Sequence, residues 1–284
     1  MTFLILGCGF TGRRVAATLA AAGHDVWATS RHPERLDLPD VRCLRLDLNN
    51  SASLAAVGAA LPDGIHVLHS VPLIQDIAGR YSDPTPRLLG ILGAKPARMV
   101  YLSTTGVYGT QEQVNESSLP APRGPREQLR VDAERAVQQG PWSTMILRPA
   151  AIYGPHRGVH ESMRRGTFRL PGDGARIVSR IHVDDLAALS CAALLSDFDG
   201  AWPVGDEEPC SSLEICRFVS SLTGLRMPES APAGSVSETL RNNRRVDGRA
   251  VLRVLGVRLR YASYRTGIPA CLSAESAVRS APVR

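Results

Sequence analysis

The sequence predicts an α/β fold: a doubly wound parallel sheet followed by a small, irregular C-terminal lobe. Three observations predict it. Short apolar runs alternate with amphipathic stretches through the first half, the pattern of parallel strands joined by crossover helices. The hexapeptide Gly7-Cys8-Gly9-Phe10-Thr11-Gly12 stands directly after the first apolar run and opens the first amphipathic one. Past Pro149 the texture changes, with breakers gathered at Gly154-Pro155, Gly158, Gly166 and Pro171-Gly172-Asp173-Gly174.

Element by element, Phe3 to Leu6 reads as the first strand and Thr11 to Ala22 as a helix closed by Gly23. His24 to Thr29 and Val41 to Leu46 follow as strands two and three. Ser51 to Ala60 reads as a helix with Ser51 as its cap, and Ile65 to His69 as strand four. A weaker helix from Pro84 to Gly93 leads into strand five, Arg98 to Leu102. The stretch from Thr110 to Pro125 holds too many breakers to be regular. Glu127 to Gln138 has helical spacing, and Thr144 to Leu147 makes strand six. In the second half Asp184 to Leu195 and Ser211 to Leu222 read as helices, with Asp184 or Asp185 capping the first. A basic region from Arg241 to Arg265 closes the fold, and the residues from about Ala274 are expected to fray. The chain thus divides into a dinucleotide-binding domain, residues 1–155, and a substrate lobe, residues 156–284, from which segments near 177–205 return to the sheet.

Composition narrows the function. All but one of the 33 basic residues are arginine, the exception being Lys95, so any mechanism that deprotonates a lysine must use that residue. Lys95 lacks the upstream glycines of a P-loop. A net charge of +6 over 284 residues with 5% aromatics favours solvated arginines over a nucleic-acid footprint. Six cysteines with no CxxC pair fit a reduced, cytoplasmic chain, and no apolar run is long enough to span a membrane. His66, His69 and His156 are too scattered to suggest a metal. The expected partner is a small molecule, not nucleic acid or membrane, bound by a monomer or homodimer.

In Gly7 to Gly12 the first glycine makes the turn, the second admits a pyrophosphate, and the third lets helix and strand pack closely, while the helix N-terminus attracts phosphate. This is a Rossmann-like dinucleotide site, with Gly7, Gly9, Phe10, Thr11, Gly12 and Ser70, after strand four, as cofactor contacts. Strand two ends in Ser30-Arg31 with no acid before Glu34, which favours NADP(H), since Arg31 can pair with a 2′-phosphate; NAD stays open. Asp47 and Leu48 lie where such folds meet adenine, though Asp47 can equally cap the next helix.

With these residues in place the chain resembles the short-chain dehydrogenase/reductase superfamily in its extended, epimerase/dehydratase-like branch. The resemblance rests also on Leu102 to Gly109, on Arg148-Pro149-Ala150-Ala151-Ile152-Tyr153-Gly154-Pro155 and on Arg180-Ile181-His182-Val183-Asp184-Asp185. The late Tyr261 to Gly267 is similar to the ending of an atypical subgroup. It implies a Ser or Thr after strand five, here Thr104, and a Tyr-x-x-x-Lys pair on the following helix. Aligning Ala133-Glu134 with the family pattern puts Arg126 at the tyrosine position and Arg130 at the lysine position. Arg130 can still donate to a ribose, but arginine is no proton donor near neutral pH. The acid must then come from Tyr153, the first choice, or from Tyr108, His156 or Tyr81. Within the basic region, Arg244 or Arg245 is the expected contact to an anionic ligand. The implied activity is NADP(H)-dependent hydride transfer on a small, anionic substrate. Two alternatives remain open: a non-catalytic redox sensor or scaffold, and an epimerase or dehydratase that retains its cofactor.

Overall fold

The computed structural model describes residues 1–236 and 241–280. Seven strands form one fully parallel sheet: β1 (Thr2–Leu6), β2 (Asp25–Ser30), β3 (Val41–Arg45), β4 (Ile65–His69), β5 (Pro96–Leu102), β6 (Ser143–Pro149) and, lying outside β6, Gly200–Val204. The spatial order starts with Gly200–Val204 and continues β6-β5-β4-β1-β2-β3, so the winding reverses between β1 and β4. A ligand crevice opens at such a reversal, beyond the carboxyl ends of the strands. Successive β1 residues face opposite ways: Phe3 and Ile5 pack with Val15 and Leu189, Leu4 and Leu6 with Val57, Leu88 and Tyr101. The near-continuous apolar runs of the sequence are therefore strands covered on both faces.

Helices α1 (Gly12–Ala21), α2 (Ser51–Ala60), α3 (Thr85–Leu92) and α4 (Pro125–Gln138) supply the crossovers. The cap of α2 is Asn50 rather than Ser51, because the Asn50 side chain accepts from Ser53 N. Beyond β6 come α5 (Val159–Arg164), α6 (Val183–Leu195), α7 (Ser212–Thr223), α8 (Arg249–Leu255) and α9 (Tyr264–Ser280). Of these, α6 and α8 return to cover the sheet beside α1, with Leu186, Leu189 and Val251 in the core shared with Phe3 and Ile5. Helices α5, α7 and α9 pack with several two-stranded pieces, including Ala151–Tyr153 beside Arg180–His182, into a smaller lobe with its own core of Phe168, Ile215, Tyr264 and Ile268. The fraying expected from Ala274 is not found as far as Ser280: α9 continues, because Glu275 is buried and tied to His156 N, His160 and Arg164. The last four residues lie outside the described ones.

Neither aspartate caps α6. The His182 ring accepts from Asp184 N, which frees Asp184 to pair with Arg14 of α1 at 2.6 Å. Asp185, buried, accepts from the backbone N–H groups of Arg260 and Tyr261 and so pins the loop before α9.

Candidate cofactor and active site

The crevice beside β1 is a cleft of about 460 Å³ lined by Gly7, Gly9, Ser30, Asp47, Ser70 and their neighbours. Gly7 has φ +84°, which only glycine adopts without strain. A Cβ on Gly12 would lie 2.6 Å from Gly7 O, so the helix start and the strand end are in direct contact there. A Cβ on Gly9 would meet nothing within 4 Å: that position faces open space at the start of α1, which has no acid in its first turn. These are the features a dinucleotide pyrophosphate requires, and the residues present fit one. Ser70 Oγ donates to Gly7 O at 2.7 Å and holds the loop. Thr11 is buried at the loop's base, and Leu48 lines the cleft with Asp47, whose Oδ1 accepts from Asn49 N. Two guanidinium groups approach the Phe10 ring, Arg14 at 4.6 Å and Arg157 at 5.1 Å from its centre.

The carboxyl end of β5 carries Thr104, whose hydroxyl accepts from Gly106 N at 3.1 Å and caps the short turn over Thr105–Tyr108. Thr104 and Arg126 line one narrow cleft with Ala150, Ser179 and Arg244. Arg130 Nη1 donates to Tyr101 Oη at 2.6 Å. Arg244, expected as a ligand contact, is buried instead: its guanidinium donates to the carbonyls of Gln111, Thr105 and Gly109 and clamps the loop after β5. Its charge is spent on backbone dipoles.

Of the four candidate acids, Tyr153 is packed in the lobe core. Its hydroxyl donates to Ser263 O at 3.3 Å, Gly267 leaves no room beside it, and burial pushes its ionisation above the ordinary tyrosine value. Tyr108 is also fully buried, its Oη accepting from Arg148 Nη1. His156 stands exposed, its backbone N–H held by Glu275. Tyr81 is exposed, with the Arg126 guanidinium over its ring at 5.4 Å. His66 and His69 are structural, the first meeting Leu194 O at 2.7 Å, the second Thr85 Oγ1 at 3.0 Å. His156 does approach Glu161 and Glu275, but Arg165 and Arg164 already neutralise those carboxylates at 2.5 and 2.6 Å.

One buried network was not anticipated. Ser103 Oγ donates to Glu134 at 2.5 Å, Glu134 accepts two bonds from Arg148 at 3.1 and 2.7 Å, and Arg148 reaches Tyr108. Glu134 and Arg148, which mark the sequence motifs after α4 begins and at the end of β6, are thus partners beneath the site. The signal was available in a charged residue on an otherwise apolar strand, where a buried charge demands a counter-ion.

The profile of the NAD dependent epimerase/dehydratase family matches residues 3–204. The chain belongs to this family. It is similar to the 3-diazoavenalumate denitrifying reductase of a Streptomyces species, 28% identical over 263 residues, covering 82% of this chain and 85% of that one. A solved conserved protein of unknown function from Silicibacter pomeroyi is 29% identical, with a TM-score of 0.79 over 96% of this chain and 98% of that one. MoeE5, solved with UDP-glucose and NAD, is 25% identical, with a TM-score of 0.80 over 99% of this chain and all of that one. A second MoeE5 structure holds UDP-glucuronic acid and NAD.

These relatives correct the cofactor expectation: NAD, not NADP, occupies them. The geometry accounts for the error. Among the described residues Arg31 is the one basic side chain lining the cleft, it is exposed, and Asp47 shares the cleft with it. Ser30 Oγ is engaged in accepting His32 N–H. The Asp47 carboxylate in the same cleft opposes a second phosphate there.

Proposed function

We propose that this epimerase/dehydratase-family chain binds NAD over Gly7–Gly12 and transfers hydride with a small molecule seated between Thr104, Arg126 and the C-terminal lobe. The observation that carries the reading is the glycine-loop cleft, complete in its turn, open at Gly9 and held by Ser70, with the Thr104–Arg126 cleft at the carboxyl ends of the next strands, β5 and β6. NAD when bound supplies the hydride acceptor or donor. The chain's residues do the rest. Arg130 is the candidate ribose contact in place of lysine. Arg126, at the tyrosine position, cannot pass on a proton, but a guanidinium lining the same cleft as Thr104 can stabilise a developing oxyanion. Of the hydroxyls, we favour Tyr81 as the proton donor, because it is exposed and lies under Arg126. Tyr153 has the packing described above.

A cycle in which NAD is retained, as in epimerases and dehydratases, has better support than the net NADP(H) oxidoreductase expected from the sequence, since MoeE5 carries NAD together with sugar nucleotides. Net reduction keeps one supporting observation, the reductase name of the Streptomyces relative. Purified protein denatured by acid distinguishes them. Release of near-stoichiometric NAD supports retention, and exchangeable NADH consumed one-for-one with product supports reduction. Absence of both bound NAD and micromolar NAD or NADH affinity overturns the proposal. For the donor, Tyr81→Phe is expected to lower kcat at least tenfold, and Tyr153→Phe to leave it within twofold; the reverse order restores Tyr153.

A further inference from the structure

Beside the Thr104–Arg126 cleft, and sharing Ala151 and Val178 with it, lies a second cavity of about 240 Å³. Its wall is mostly apolar, with Ile152, Val159, Phe168, Ile215 and Ile268. Five polar or cationic side chains interrupt that wall: Tyr153, Ser162, Arg180, His160 and Arg157. Arg180 is 4% exposed; its Nη1 donates to Val178 O at 2.7 Å, but its Nη2 is buried without a hydrogen-bond partner. His160 is 1% exposed, with Nε2 on Glu275 and Nδ1 unpartnered. Arg157 reaches from the cavity's rim to the face of Phe10 in the glycine loop.

Unsatisfied donors on a buried guanidinium are costly unless something completes them. The nearest acid, Asp206, does not: neither of its carboxyl oxygens has a hydrogen-bond partner. Burial pushes that carboxyl up to about 8 against the pull of Arg180, and no ion pair joins the two among the described residues. An apolar chamber with a few convergent polar groups is the form of a small-molecule site.

We propose that this cavity receives the body of the substrate, and that the substrate is a small apolar carboxylic acid whose carboxylate is taken by Arg180 and Arg157. Scaling from an apolar cavity of ~150 Å³ that accepts benzene, the space takes about ten non-hydrogen atoms. That is an aromatic ring or short alkyl chain with its acid group, and is several times too small for a sugar nucleotide such as the one MoeE5 binds. A carboxylate matches the planar guanidinium edge by paired hydrogen bonds, whereas a doubly charged phosphate costs more to bring out of water. The inference rests on the proposal that NAD lies over the glycine loop, since Arg157 joins the two sites.

The test is calorimetric titration of the full chain, saturated with NAD, with benzoate, phenylacetate and hexanoate against benzyl alcohol, phenylethanol and hexanol. At least one acid is expected to bind tenfold or more tighter than its alcohol. Arg180→Gln should remove that preference, Arg157→Gln should weaken acid binding about fivefold, and Val159→Phe should abolish binding by filling the chamber. If Arg180→Gln does not fold, the other two variants still decide. NAD binding is measured in parallel: its failure sinks the cofactor reading. NAD binding with no acid preferred, or UDP-glucose displacing a bound acid while Val159→Phe leaves acid binding intact, overturns the carboxylate pocket alone.

Discussion

Lys95, the chain's single lysine, lies far from any proton relay. Its Nζ donates to Gly58 O in the last turn of α2 at 2.8 Å and to Leu61 O just past its end at 2.6 Å, where a cation also meets the negative end of the helix dipole. Lys95→Met should lower stability by about 1–3 kcal/mol in urea titration while leaving NAD affinity within twofold. His69 makes a second residue-scale prediction. Burial, with the Arg130 charge adding to it, pushes the imidazole down to about 3, so the folded protein keeps it neutral. The unfolded chain protonates near pH 6.5. The contribution of a neutral His69 is therefore complete above about pH 6.5 and is lost as pH falls from there toward 3. His69→Gln should flatten that acid limb; an unchanged slope between pH 6.5 and 4 would refute the assignment.

At the scale of elements, the Ser103–Glu134–Arg148–Tyr108 network ties α4 to β5, β6 and the turn after Thr104. Removing one member leaves a charge stranded in the core. Glu134→Leu and Arg148→Met should each cost ~3–5 kcal/mol, and the double variant clearly less than their sum, as a double-mutant cycle would measure. Additive costs would mean that the pair is not coupled. The motifs by which the family is legible in this chain thus include parts of a buried strut as well as cofactor contacts.

For the whole molecule, a few polar anchors tie the second half of the chain to α1 and to itself. Asp184 joins α6 to α1 through Arg14, Asp185 holds the loop before α9, and Glu275 holds α9 to His156, His160 and Arg164. Burial works against the Glu275 carboxylate, but the His156 N–H and the Arg164 charge overcome it and keep it ionised below the ordinary glutamate value. Glu275→Gln should speed amide exchange in residues 156–164 and 264–280 and leave the central strands protected. Uniform loss of protection would instead make Glu275 a determinant of global stability.

The order of the first six strands and their crossover helices, the glycine loop and the missing Tyr-Lys pair were determined by the sequence alone, because each depends on local periodicity or on residues adjacent in the chain; strand Gly200–Val204 and helices α5, α8 and α9 were not. Tertiary structure decided which polar residues meet. Lys95 became a helix cap, Arg244 a loop clamp, Tyr153 a core side chain and Arg180 the cation of a small cavity. Arg31 showed why the cofactor expectation failed: a charge reads the same in sequence whether it is solvated or matched, and only its neighbours in space fix its electrostatic worth.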